Sequence, residues 1–535
     1  MLASPIYLFF PTPIRGPPII ANALDRRYGN YTIMHGVQAE WYSRPSMDEF
    51  TRSSASDSHL PVTSPGSGPA DVHVSTVVTL LMAVLLGTGM AFVIWLQISI
   101  PRLDRVGFPE RALSHLVSRT LEMEEAIAHA PAWERLLYQL TTDSGSNDLG
   151  EAIAWYRELA EISYNSDIHL QLAVLEAEAG RIENVGRRLK EWDRREDPFP
   201  LFARLIRAAY VDSRIDPTIA QALQAELADA VPAGWFYDKV ALRLAERSRD
   251  PNLFASITRE SEARASPLLH KVRLVAAGEL TIVLLGVFAL GLLLRRPGEI
   301  YRVGQAALPP VWRAGVGVAV LIRGGATGLL LSVVVLFLES DSQLVRLSSI
   351  PLASLPLLVW TRQYLLAPHG VGFLTAFGVR LSPGGAGRLI VAVFAVLAAG
   401  LIGEWGVGLI AEEWGLSSHW TEWFDPDLVW GQGPAVMISL IEFVVLAPLF
   451  EELAFRGLLF GTLRRRFNWG TSAGLSAGVF AIAHGYGVLG FISVFWSGLL
   501  WAWIYEKTGS LLPSMLAHAA NNLLVCLTIL YFFHP

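Results

Sequence analysis

Cysteine is almost missing from this chain of 535 residues: Cys526 is the only one, and it lies in an apolar run. No intrachain disulfide can form, and thiolates cannot build a metal site. Charge is scarce too. Only 17% of residues are Asp, Glu, Lys or Arg, against about 25% in soluble domains, while 52% are hydrophobic. The first ten residues lack a basic stretch, so they make a poor secretory signal. The sequence His-Glu-x-x-His does not occur. The hydropathy pattern shows no inverted repeat of the kind many secondary transporters carry. The net charge of −6 is partitioned among loops, and no nucleic-acid partner is expected.

What the chain has instead is a series of apolar runs near the ~20 residues that cross a bilayer. The expected fold class is all-α. It is a polytopic transmembrane helical bundle of eight spans, plus one N-terminal span and an all-helical soluble insert. Residues 1–73 are rich in Pro, Ser and Gly and read as disordered or as a start placed too early; Asn30-Tyr31-Thr32 fits a glycosylation sequon. A first span is placed at 74–98. Core spans are placed at 274–294, 314–338, 347–366, 388–410, 433–463, 470–485, 488–505 and 511–533.

Residues 101–266 differ in character. They are charged, and apolar residues recur at helical spacing, as in Leu170, Leu172, Val174 and Leu175. A period near 34 residues links Glu151, Ile182 and Ile219, which is weakly similar to tetratricopeptide hairpins. The expectation is a helical-hairpin domain that either docks a protein partner or acts as a spacer. It carries none of the chemistry described below, so it is expected to be dispensable for it.

Orientation follows from the distribution of basic residues. Arg295, Arg296, Arg302 and Arg313 follow one span, Arg380 and Arg388 another, and Arg464, Arg465 and Arg466 a third. The alternate loops carry Glu339, Asp341, Glu412, Glu413, Glu422, Asp425 and Asp427. This places the N-terminus in the cytoplasm and residues 101–266 outside, in the inner membrane of a bacterial cell.

Glu451 and Glu452 are adjacent carboxylates in a run otherwise fit for lipid. Each ionised carboxylate at that depth costs roughly 2.5 kcal/mol or more, so the pair demands a reason. Glu452 and Arg456 stand i,i+4 with the acid first, the favourable order for an ion pair. Glu451, about 100° round the helix, has no such partner. Pro448 removes a helix hydrogen bond just before them. Two further clusters follow: Phe480 and His484 at i,i+4, and His518 and Asn522 at i,i+4. At 1.5 Å per residue, Glu451 and His484 lie about 20 Å from the Arg464 end, Asn522 about 16 Å and His518 about 10 Å. These four are expected to share a cavity reached from the cytoplasmic half. Singly, a His or Asn in a span is often a packing residue. Together they supply a base for water and donors for an oxyanion.

The pattern Glu-Glu-x-x-x-Arg, Phe-x-x-x-His, His-x-x-x-Asn resembles the CAAX-protease and bacteriocin-processing family of intramembrane endopeptidases, also called Abi. The resemblance covers 270–535 at most, with its motifs in 433–533. It implies that Glu451 and His484 activate water, that His518 and Asn522 form the oxyanion hole, and that Glu452 and Arg456 hold the site. The substrate would be a membrane protein or peptide within the bilayer. The family is often called metalloprotease. One carboxylate with two imidazoles is a conceivable Zn²⁺ set, but no cofactor is favoured and a glutamate mechanism is preferred. The competing readings are a proton-coupled transporter using Glu279, Arg323, Glu404 and Glu442, and a non-catalytic or immunity-type scaffold. The sequence offers no role for Glu442.

Overall fold

The computed structural model describes residues 75–141, 148–295, 301–336 and 343–534. The expectations for residues 1–73, the Asn30 sequon included, lie outside the described residues. Within them the structure is helical, with no strand. Helix α1 is Thr76–Ser99. The insert holds α2 Pro109–Ala128, α3 Ala132–Thr141, α4 Asp148–Ile162, α5 Ser166–Glu178, α6 Ile182–Trp192, α7 Phe199–Ile206, α8 Pro217–Ala230 and α9 Trp235–Ser248. The core follows as α10 Pro251–Leu294, α11 Ala314–Leu336, α12 Gln343–Trp360 and α13 Gly385–Trp414. Then come α14 Gly433–Leu463, α15 Trp469–His484, α16 Val488–Thr508 and α17 Leu512–Phe533.

The insert is a stack of helix pairs that begin at Asp148, Ile182 and Pro217. The faint sequence period is therefore the spacing of hairpins. α5 is its centre and is buried on nearly every side, from Ile168 to Ala177. Its one buried acid, Glu176, is met by Arg157 at 2.6 Å and Arg188 at 3.0 Å, as a buried carboxylate requires. No linker separates insert from bundle. α10 starts in the insert on an Asp250 cap, whose carboxylate accepts the Asn252 and Leu253 N–H groups, and runs unbroken for 44 residues into the core.

Among the described residues, seven helices are long and apolar enough to cross a membrane: α1, α10, α11, α13, α14, α16 and α17. The sequence had suggested nine. α12 is not among the seven; it carries Pro351 and Pro356 inside it and continues into a π turn, Thr361–Leu366. α15 has only 16 residues, about 24 Å against a ~30 Å hydrocarbon core. It starts on an Asn468 cap, where the amide oxygen accepts the Thr471 N–H at 2.9 Å. It stops at Gly485, whose φ of +66° suits glycine.

All eight core helices nevertheless thread between the same two ends. At one end the loops after α10, α12, α14 and α16 meet. The Val303 N–H bonds the Thr508 carbonyl at 3.0 Å and the Leu511 N–H bonds the Phe377 carbonyl at 3.0 Å. Arg388 donates to the Arg302 carbonyl at 2.8 Å, and Arg464 pairs with Glu506 at 2.8 Å. The arginine-rich loops thus gather on one face. At the other end sit the insert, residues 415–432, the α15–α16 turn and the end of α17. There the Gly487 N–H reaches Glu422 at 3.2 Å, and His115 of α2 meets the Phe533 carbonyl at 2.7 Å. The insert's apolar core is continuous with Trp420, Phe424, Leu428, Phe443, Cys526, Ile529 and Phe532 of the bundle.

Candidate active site

The site begins with a change of helical register in α14. Residues Ile441–Leu446 and Glu452–Phe460 are π-helical turns; such turns are rare and concentrate at functional sites. In the first, the Ala447 N–H bonds the Glu442 carbonyl, and the following Pro448 has no N–H to give. The Phe443 carbonyl is left without a donor one turn on. Asn522 of α17 fills the gap, its Nδ2 donating at 2.8 Å. Pro448 therefore does more than bend the helix: it creates an acceptor for a motif residue on another helix.

Glu442 gains a role from the same segment. Arg346 of α12 donates from Nε to Glu442 Oε2 at 3.0 Å and from Nη2 to the Ser439 hydroxyl at 2.9 Å, and it also pairs with Asp427. This arginine ties the π turn to α12 and to the segment before α14. Arg323 is likewise a structural tie: it donates to the Ser75 carbonyl at 2.7 Å and to Thr79 at 3.0 Å, holding α1 on α11.

The paired glutamates part company. Glu452 and Arg456 are wholly buried, with Arg456 Nη1 2.9 Å from Glu452 Oε1. The guanidinium lies over two rings, 4.1 Å from the Phe480 centroid and 4.8 Å from the Trp501 centroid, contacts worth about 2 kcal/mol when desolvated. Gly498 leaves the room: a Cβ there would lie 3.1 Å from Arg456 Nη2 and 2.9 Å from the Ala477 Cβ. His518 stacks on Trp501 at 3.9 Å and places Nδ1 3.1 Å from Glu452 Oε1. Its Nε2 stands 3.8 Å from Glu451 Oε2. That Glu451 oxygen is buried without a hydrogen-bond partner.

His484, also buried, places Nδ1 2.6 Å from the Phe480 carbonyl. A carbonyl only accepts, so Nδ1 carries the hydrogen and the neutral ring keeps its lone pair on Nε2. His484, His518, Asn521 and Asn522 line one cavity with Phe480, Ser493, Ser497 and Trp501. Glu451 and Glu452 stand behind His518 rather than on the cavity wall, and no hydrogen bond joins Glu451 to His484. The three motifs meet, but through His518. Trp501, Phe443 and Arg346 carry no motif and were not legible. A lone arginine beside the span that faces Glu442 was the one available signal for Arg346.

The expected route from the Arg464 end is not what the cavity takes. Its other walls are Trp423, Phe424, Asp425, Leu428, Phe443, Val525, Cys526 and Ile529, all toward the insert. The Arg464 side is filled by Leu458, Phe460, Tyr505, Leu511 and Met515 in one apolar cluster. Distance along each helix does not say which side is packed shut. Asp425 helps close the insert end by capping a short helical turn, accepting the Leu428 N–H at 2.8 Å. Burial holds its carboxyl above the usual range.

Among the described residues no three His, Cys, Asp or Glu side chains gather closely enough to hold an ion, and His518 Nδ1 is committed to Glu452.

Residues 433–524 match the family model described as type II CAAX prenyl endopeptidase, Rce1-like. The matched stretch contains Glu451, Glu452, Arg456, His484, His518 and Asn522. No curated protein and no solved structure matches the chain.

Proposed function

Starting from a CAAX-protease-type endopeptidase domain in a multi-pass membrane protein, we propose that the chain hydrolyses a peptide bond of a membrane protein or membrane-associated peptide by a metal-free glutamate mechanism. The observation that carries this reading is the buried, unpartnered Oε2 of Glu451, 3.8 Å from His518 Nε2 and beside a cavity lined by two imidazoles. Nothing in the packing uses that oxygen, and a buried polar atom without a partner is costly to keep.

His484 Nε2 orients the water on the cavity wall, Glu451 takes its proton once its carboxylate turns past His518 toward the cavity, and the water oxygen attacks the carbonyl carbon. The developing oxyanion is held by the second N–H of Asn522, whose first is given to Phe443, and by His518 Nε2 when that nitrogen carries a hydrogen. Collapse breaks the C–N bond, and the leaving amine takes up the proton. Glu452 and Arg456 fix His518 and Trp501 in place. The chain is placed in a bacterial inner membrane with its arginine-rich end in the cytoplasm; the gathering of those loops on one face supports this. The insert is assigned to docking a protein partner.

Comparing the N-termini of membrane-protein fragments between wild-type cells and a Glu451→Ala strain tests the activity. Substrates should accumulate uncut in the variant. Identical fragment sets would favour the non-catalytic scaffold.

A further inference from the structure

We infer that the peptide bond reaches the site from the insert end of the bundle, so that the substrates are membrane proteins whose cleaved segment is accessible from that side. This rests on the endopeptidase reading for the word substrate, and on packing for the side. The cavity runs from the middle of the bundle toward the insert end. α14 gives Phe443, near its start; α15 gives Phe480 and His484, its last turn; α16 gives Ser493 to Trp501 and α17 gives His518 to Ile529, so that Trp501 and His518 form a floor past the middle of their helices while Ser493 and Ile529 lie toward the insert. Residues 423–428 complete the wall, and they belong to the insert end. Beyond that floor the arginine-rich end is packed by Leu458, Phe460, Tyr505 and Leu511. A peptide approaching from the arginine-rich end meets that core and not the imidazoles.

The chemistry of the walls says what can enter. Phe424, Leu428, Phe443, Val525 and Ile529 are apolar, while Ser493, Ser497 and Asn521 offer a few hydrogen bonds. Such a wall suits an extended peptide with a bulky apolar side chain, its main chain served by the hydroxyls and the amide. Val494, Ser497, Asn521 and Val525 line the cavity yet keep some surface, which puts its mouth between α16 and α17. Together with the orientation expected from charge, this geometry admits the substrate from the outer side of the membrane.

The test uses the full chain with Cys526→Ala, which removes the only native thiol. Single cysteines are introduced as Ser497→Cys in the cavity, Tyr164→Cys on the insert and Arg465→Cys at the opposite end; Val525→Cys replaces Ser497→Cys if that variant does not fold. In sealed vesicles, a membrane-impermeant maleimide should label the cavity cysteine only from the face that labels Tyr164→Cys. Labelling from the Arg465→Cys face, or from neither, overturns the inference. The new N-termini lost in the Glu451→Ala strain should also fall in substrate segments that a protease added on the insert side of the vesicles can reach. Termini in segments reachable only from the other side overturn the inference while the endopeptidase reading stands. An absence of lost termini overturns the endopeptidase reading and leaves the labelling to judge the side of access.

Discussion

His518 turns one ring nitrogen to each member of the glutamate pair, Nδ1 to Glu452 at 3.1 Å and Nε2 to Glu451 at 3.8 Å. The imidazole is thus the link between a carboxylate committed to structure and one that is not. Glu452 already serves Arg456, so its oxygen Oε1 holds two side chains from two helices.

The two glutamates are expected to separate on substitution. Glu452→Gln leaves Arg456 buried without its charge partner, and removing one member of such a pair costs about 3–5 kcal/mol. The variant should show lower abundance and an earlier thermal transition in detergent. Glu451→Gln should fold normally and cleave nothing. Equal loss of stability in both variants would contradict this division.

His484→Ala should behave as Glu451→Gln does, because its Nε2 is the free imidazole nitrogen on the cavity wall. Asn522→Ala should keep weak cleavage, down by on the order of 10²-fold. The readout is fragment yield from a substrate recovered in the Glu451→Ala strain. An Asn522→Ala variant as dead as His484→Ala would make Asn522 more than one donor among several.

Arg346→Lys should loosen the first π turn. Lysine cannot reach Glu442, Ser439 and Asp427 from one planar fork. Amide hydrogen exchange over 441–447 should rise by about tenfold or more, matching a loss near 1.4 kcal/mol. Unchanged protection there would detach Arg346 from the placement of Asn522.

Purified protein should hold no stoichiometric Zn²⁺, and cleavage should survive chelation. Elemental analysis showing one Zn²⁺ per chain, lost with activity in His484→Ala and His518→Ala, would make these residues ligands.

A reporter active only outside the cytoplasm should give signal when fused after residue 200 and none when fused after Arg466. The reverse would turn the molecule over and place its cavity on the cytoplasmic half.

Much of the site was legible because its motifs are local. An i,i+4 acid and base announce a pair on any helix, and Glu452 with Arg456 is that pair. The link from Asn522 to Phe443 was not legible. It depends on a π register that frees one carbonyl, and no residue spacing encodes that register. The shortness of α15 was partly visible in Asn468 and Gly485, its two stops. The insert's hairpins were legible as a period, but their fusion to the bundle was not, since Trp420, Phe424 and Phe532 read as membrane or loop residues until the insert is seen to cover them.

α10 gives that fusion a mechanical meaning. Its 44 residues form one continuous helix of about 66 Å from insert to bundle, with Pro267 inside it near the junction. Gly286 lets it lie against the Phe394 carbonyl and the Ala398 methyl of α13, so the lower part is clamped. Insert and bundle share that helix, so the position of the insert bears on the helices around the cavity. Removing residues 101–266 would take away the apolar cover over Phe424 and Leu428 as well as a docking surface, so the dispensability expected from the insert's lack of motifs gives way to an expected loss of cleavage of every substrate alike.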